Sequence, residues 1–227
     1  MRITVFGAAG TTGSRIVAEA LSRGHDVTAV VRDPARLAQL PPAAIHRVGD
    51  AADVDAVVEL SAGQDVVVTA TRPPIGHEHE LVAVATALLA GLSRTGARLL
   101  AVGGAGSLTV PGSGGTLVVD DPAYVPPAWR AIALACNDQL AVFRASTDVD
   151  WTYLSPAAIL EPGERTGSYR LGADELLVDP AGASAISTED FAVALLDEVE
   201  RPRHRRTRFT VARTRTPPVS ATGAADR

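Results

Sequence analysis

The chain alternates short apolar runs with longer segments whose apolar positions recur every three or four residues. Runs near 2–6, 26–31, 45–48, 65–70, 97–102 and 150–154 are rich in β-branched residues and bounded by glycine or polar residues, so they predict buried strands. The segments between them, near 12–23, 34–40, 53–60, 77–94 and 128–146, carry the helical period. Repeated strand–helix–strand alternation predicts the α/β class: a Rossmann-type, doubly wound, mostly parallel sheet with helices on both faces. Asp33 before Pro34 marks a helix start, and Gly24 and Gly96 mark helix ends. Crossovers of this kind are right-handed, which places a ligand crevice at the C-terminal ends of the strands.

After residue 155 the rhythm changes. Pro156 to Ile186 holds four glycines and two strand-like pieces, at 168–171 and 175–179, and predicts a small loop-and-hairpin lid over the crevice at about 155–186. Ser187-Thr188-Glu189-Asp190 then caps an amphipathic helix to about 200, and Arg208 to Val211 reads as a last strand. Residues 1–212 are expected to form one domain. Residues 213–227, rich in Thr, Pro, Ala and Gly, are expected to be a disordered tail.

The first strand turns directly into a helix through Gly7-Ala8-Ala9-Gly10-Thr11-Thr12-Gly13. Gly7 permits the tight turn, Gly10 lets a phosphate approach the backbone, and the missing Cβ of Gly13 lets helix and strand close together. Free N–H groups of the first helical turn then face an anion, and the helix dipole favours it. The spacing alone is common, but its position between a first strand and a helix is what dinucleotide binding requires.

Composition narrows the class. With 227 residues and 46% hydrophobic content the chain can bury a sizeable core. The net charge of −5 argues against a general nucleic-acid binder. Arg201, Arg203, His204, Arg205, Arg206 and Arg208 form a basic stretch that reads as a solvated turn, with contact to an acidic partner as the alternative. Cys136 is the single cysteine, so no internal disulfide can form, and no metal site is expected. No run is long enough to span a membrane, no secretory signal is apparent, and a cytoplasmic protein is expected. The expected partner is a small-molecule acceptor, with neither nucleic acid nor membrane involved, and a homodimer is left open as the assembly.

Strand two ends at Arg32, where an acidic residue would favour NAD. Its guanidinium fork suits a 2′-phosphate, so NADP is expected over NAD, with Thr11, Thr12 and Arg15 as further phosphate contacts. Topology places Asp50 near the adenine, with a turn-forming aspartate as the alternative, Ala70, Thr71 and Arg72 along the cofactor, Gly103 and Gly104 near the nicotinamide, and Pro156 and Ala157 on the far side.

All 21 basic residues are arginine, so a lysine-assisted tyrosine cannot act as proton donor here. Ser107, after the strand-five glycines, is the candidate to orient a substrate, with backbone capping as the alternative. Tyr124 could line the substrate side or simply pack, and Tyr153 is expected in the core. His77, Glu78 and His79 do not share a helix face and read as an exposed first turn. An acceptor that needs little proton assistance is therefore favoured, and a flavin as substrate meets that requirement through proximity and orientation.

The runs GAAGTTGSRIV, AVVRDP, RLLAVGGAGSL, DWTYLSPAAILEPGERTGSYRLGADELLVD, ISTEDFAVALLDEVERPRH and RFTVA span about residues 2–212. They resemble the atypical short-chain dehydrogenase/reductases of the NmrA-like superfamily, and among these the NADH-flavin reductase-like group related to biliverdin-IXβ reductases. The resemblance implies a single Rossmann-type domain, a dinucleotide at Gly7, Gly10, Gly13 and Arg32, and reduction of flavins or similar acceptors. It sets Ser107 near the active-site serine of the biliverdin-IXβ-like enzymes, though the flanking residues differ. A non-enzymatic NADP sensor similar to NmrA-like regulators is the alternative, with a sugar-nucleotide epimerase or dehydratase behind it.

Overall fold

In the computed structural model, residues 1–214 are described. Six parallel strands run in the order β3 (Ile45–Val48), β2 (Asp26–Val31), β1 (Arg2–Phe6), β4 (Val66–Thr69), β5 (Arg98–Val102) and β6 (Trp151–Ser155). β10 (Thr207–Arg213) adds in parallel beside β6, and β8 (Tyr169–Gly172) closes the edge antiparallel to β10. The order reverses between β1 and β4, and a crevice opens there beyond the strand ends.

Helices cover both faces, which is why strands such as Val66–Thr69 are apolar nearly throughout. On one face α1 (Thr11–Ser22) packs on α5 (Thr188–Glu200), joining Ile16, Val17 and Ala20 to Phe191, Ala192 and Leu195. On the other, α2 (Val54–Ser61), α3 (Glu80–Thr95) and α4 (Arg130–Ala145) lie in a row over the sheet, with Val57, Leu88, Leu92, Leu140 and Phe143 in the core. Each fully buried Leu or Phe among these contributes about 1.5–3 kcal/mol relative to exposure. Among the described residues no helix is long and apolar enough to cross a membrane.

Two predicted elements differ. Pro34–Gln39 forms a 3₁₀ turn rather than an α-helix: Asp33 caps the Ala35 amide, but no residue of the turn is buried, so nothing extends it. The hairpin expected over 168–179 does not form. Its first half becomes β8 and pairs with the last strand of the main sheet, while 175–179 contributes only a bridge at Glu175 to Thr109. That second piece is fixed otherwise: Leu176 is buried against Leu108 and Val118, and its amide donates to the Thr109 carbonyl. A two-stranded parallel pair, β7 (Ile159–Glu161) with β9 (Ala185–Ser187), frames the rest of the segment.

Half of the basic stretch is paired within the molecule, through His204, Arg205 and Arg208. Glu198 is buried and accepts from the amides of Arg203 and His204 and from the Arg98 guanidinium. Burial alone would push its carboxyl up, but the His204 amide and ring, Arg98 and the Arg203 amide outweigh that and hold it below the usual range. Arg205 pairs with Asp150 and Arg208 with Asp174, while His204 stacks on Phe209. The tail beyond Thr214 lies outside the described residues.

Candidate functional site

A continuous cleft of about 1290 Å³ follows the strand C-termini from the end of β2 to the segment after β6. It exceeds the roughly 300–1,000 Å³ of a pocket for one drug-sized molecule. Its first half is built from backbone. Gly7 has φ of +78°, and a Cβ there would fall 2.5 Å from the Ala70 carbonyl oxygen. A Cβ on Gly13 would fall 2.1 Å from the Gly7 oxygen, so Gly13 serves by letting α1 close onto the loop rather than by lining the cleft. Asp33, Asp53 and Ser187 cap their own helical turns with side-chain oxygens, whereas α1 starts at Gly10 without a side-chain cap. The amides of its first turn are thus left for an exogenous acceptor. Gly7, Ala9, Gly10, Thr11 and Thr12 line this half. The uncapped helix start and the closely packed glycine backbone around it fit a dinucleotide pyrophosphate.

Arg32 lines the cleft, with its side chain 59% exposed and a long 3.4 Å contact to Glu80. Sequence reasoning missed Arg36, which lies close by, and whose Nη2 donates to the Ala9 carbonyl at 2.6 Å. The pair borders the site from one side of the glycine loop. Asp50 lines the cleft and also accepts from the Ala52 amide, so it caps its own turn. Arg15 does not reach the cleft: it pairs with Glu189 at 2.8 Å, tying α1 to α5.

The second half is walled by side chains. Ala70, Thr71 and Arg72 leave β4 along it, and Pro156 and Ala157 close it after β6. Gly103 and Gly104 line it for a steric reason: Cβ atoms there would meet the Tyr153 ring at 2.0 Å and the Cys136 Cβ at 2.7 Å. Tyr153 is fully buried; its hydroxyl accepts from the Gly104 amide at 3.1 Å and donates to the Cys136 carbonyl at 2.9 Å. Burial pushes its phenol well above the usual value, so Tyr153 fixes the glycine loop rather than supplying protons.

Tyr124 lines the cleft, and its hydroxyl donates to the Gly182 carbonyl at 3.1 Å, joining its loop to the turn at 179–183. Ser107 is placed otherwise than expected. It is not among the cleft-lining residues, and its hydroxyl accepts from Arg208 at 3.2 Å. His77 and His79 are exposed and stack on one another, and no metal-holding cluster occurs among the described residues.

Also missed from sequence were Trp129, Ile132, Cys136 and Gln139, which present one face of α4 and its start to the cleft. Their spacing of three or four residues was available as a signal, but not which neighbour that face would meet. Burial pushes the Cys136 thiol up to about 11, against the opposing pull of Arg72 and of Tyr153, so it is a neutral group at working pH.

Residues 7–202 match the model of a family described as NAD(P)H-binding, and the chain belongs to that family. The uncharacterised Bacillus subtilis protein YwnB is 39% identical over 217 residues, 93% of this chain and 98% of its own length. A solved structure from Streptococcus pneumoniae, a candidate NADH-flavin reductase, is 30% identical with a TM-score of 0.84, covering 94% of this chain and all of that one. A candidate epimerase from Bacteroides thetaiotaomicron is 37% identical with a TM-score of 0.85, covering 95% of this chain and 98% of that one.

Proposed function

We propose that this member of the NAD(P)H-binding family is an NADPH-dependent oxidoreductase that reduces a flavin or a small quinone-like acceptor. One observation carries the proposal: the backbone-built half of the cleft runs without interruption into a chamber walled by Tyr124, Val125, Pro126, Trp129 and Ile132. A flat ring held there would lie against the cofactor site. Likeness to a candidate flavin reductase over nearly the whole of both chains supports the same class.

When bound, the reduced nicotinamide supplies the hydride. The chain's part is to bind and orient. The first-turn amides of α1 and the Thr11 and Thr12 side chains would hold the pyrophosphate, while Arg32 and Arg36 face a 2′-phosphate. Gly103 and Gly104 would bring bare backbone to the nicotinamide end, and Pro156 and Ala157 would restrict its far side. Trp129 and Tyr124 supply flat surfaces for the acceptor. No lysine exists to activate a tyrosine, and the open cleft admits water for any proton the product needs. Orientation of two rings in one cleft is thus the main contribution to rate.

The test is NADPH oxidation at 340 nm with FMN and with a quinone. Turnover that requires both protein and acceptor is expected. NADPH binding without any turnover would overturn the reductase assignment and favour a cofactor-sensing role.

A further inference from the structure

We propose that the acceptor half of the cleft selects a flat ring bearing both an anionic group and an amide-like polar edge, with Arg72 holding the anion and Gln139 the edge. The proposal rests on the reductase assignment and names its substrate class: a phosphorylated flavin has both features, whereas a neutral quinone has neither.

Two independent observations carry it. The first concerns charge. Of the three cleft arginines, Arg32 reaches Glu80 and Arg36 the Ala9 carbonyl, while Arg72 has no acceptor among the described residues. Its guanidinium instead lies over the Trp129 ring, 4.8 Å from the centroid. That contact positions a cation without neutralising it. An uncompensated cation set in a concave wall attracts an anion.

The second concerns a buried polar group. Gln139 lines the cleft, yet it is only 2% exposed, and its Oε1 has no hydrogen-bond partner among the described residues. Native structures rarely leave such an atom unpaired. The side-chain amide can both donate and accept, so it matches a ring edge carrying an N–H beside a carbonyl.

The two groups belong to the same part of the cleft. Arg72 is near enough to Cys136 to act on its thiol, and Cys136 and Gln139 stand one turn apart on α4, both lining the cleft. An apolar floor with one orphaned amide, and one unpaired cation on an indole, suits a flat ring with a charged tail.

The test is flavin binding, read by fluorescence quenching with the protein saturated in NADP⁺. FMN and riboflavin are compared in the unaltered protein, R72Q and Q139L, and NADP⁺ affinity is measured separately for each. The unaltered protein should bind FMN at least tenfold more tightly than riboflavin. R72Q should bring that ratio below two, and R72K should restore part of it. Q139L should weaken both flavins about tenfold and leave their ratio intact. A ratio near one in the unaltered protein, a ratio unmoved in R72Q, an equal loss of NADP⁺ affinity in R72Q, or unweakened flavin binding in Q139L would overturn the proposal. NADPH oxidation in the same samples separates the two claims. An Arg72-dependent FMN preference without oxidation sustains the selectivity and overturns the reductase. Oxidation without that preference does the reverse.

Discussion

The two halves of the cleft are made by different means. The glycine half is a surface of backbone atoms, packed closely together by residues whose Cβ would strike a carbonyl oxygen at 2.1–2.5 Å. The acceptor half is a surface of side chains drawn from β4, the start of α4 and the loops around Tyr124 and Pro156. A backbone surface tolerates almost no substitution, because any added atom displaces the chain itself. A side-chain surface can be altered one group at a time, and this is where related proteins can differ in what they accept.

The largest predicted effect tests the backbone half. Gly13→Ala places a methyl against the Gly7 carbonyl, and overpacking of this kind costs about 1–3 kcal/mol. It should lower the urea midpoint and weaken NADPH binding by more than about a hundredfold, because the loop must shift. Unchanged NADPH affinity in a titration would show that the glycine half does not hold the cofactor.

Next in size is the chemistry of the acceptor half. With its pKa pushed up to about 11, the Cys136 thiol stays protonated through neutral pH and ionises only as the pH nears that value. Ellman's reagent at pH 8 should therefore react at least about a hundredfold more slowly than with a free cysteine of pKa about 8.5. The rate should climb steeply above pH 10, provided the fold persists. Fast labelling at pH 8 would reveal an activated thiol and a different character for this wall.

Smaller effects follow for cofactor choice. Arg32 is largely exposed, so its contact with a 2′-phosphate belongs at the low end of charge-assisted bonds, about 1–1.5 kcal/mol or roughly tenfold. Arg32→Ala should cost that factor, and Arg36→Ala a similar one. Both variants should raise the KM for NADPH and leave that for NADH within about twofold. An equal rise for both cofactors would remove the arginines from 2′-phosphate recognition. The smallest effect is expected for Trp129→Ala, which removes the platform under Arg72. A loss of about 0.5–1 kcal/mol should appear as a two- to fivefold rise in acceptor KM, with NADPH binding unchanged. Weakened NADPH binding would place Trp129 in the cofactor half.

The same contrast explains what the sequence made legible. The strand–helix alternation and the glycine loop follow from local patterns and steric necessity, so the parallel sheet, the turn through Gly7, Gly10 and Gly13 and the Asp33 cap were all accessible. Arg36 was missed because its approach to Ala9 depends on a 3₁₀ turn where a helix was expected. Trp129, Cys136 and Gln139 were missed because a helical period shows that one face is special, but not which cavity it meets. Ser107 pointed elsewhere because its partner, Arg208, lies 101 residues away. The 168–179 segment failed as a hairpin for the same kind of reason. Its pairing is decided by β10 and Thr109, neither of them local.

The most direct measurement of the central claim is an equilibrium titration of NADPH against the unaltered protein and Gly10→Trp, with circular dichroism confirming the fold of each. A Cβ at Gly10 would sit 3.2 Å from the Gly7 oxygen, a tight contact, and the rest of an indole would enter the cleft. Saturable one-site binding by the unaltered protein, weakened at least a hundredfold in the variant, is the predicted result. Equal affinity in the two proteins, with both folded, would contradict the assignment of the glycine half to the dinucleotide.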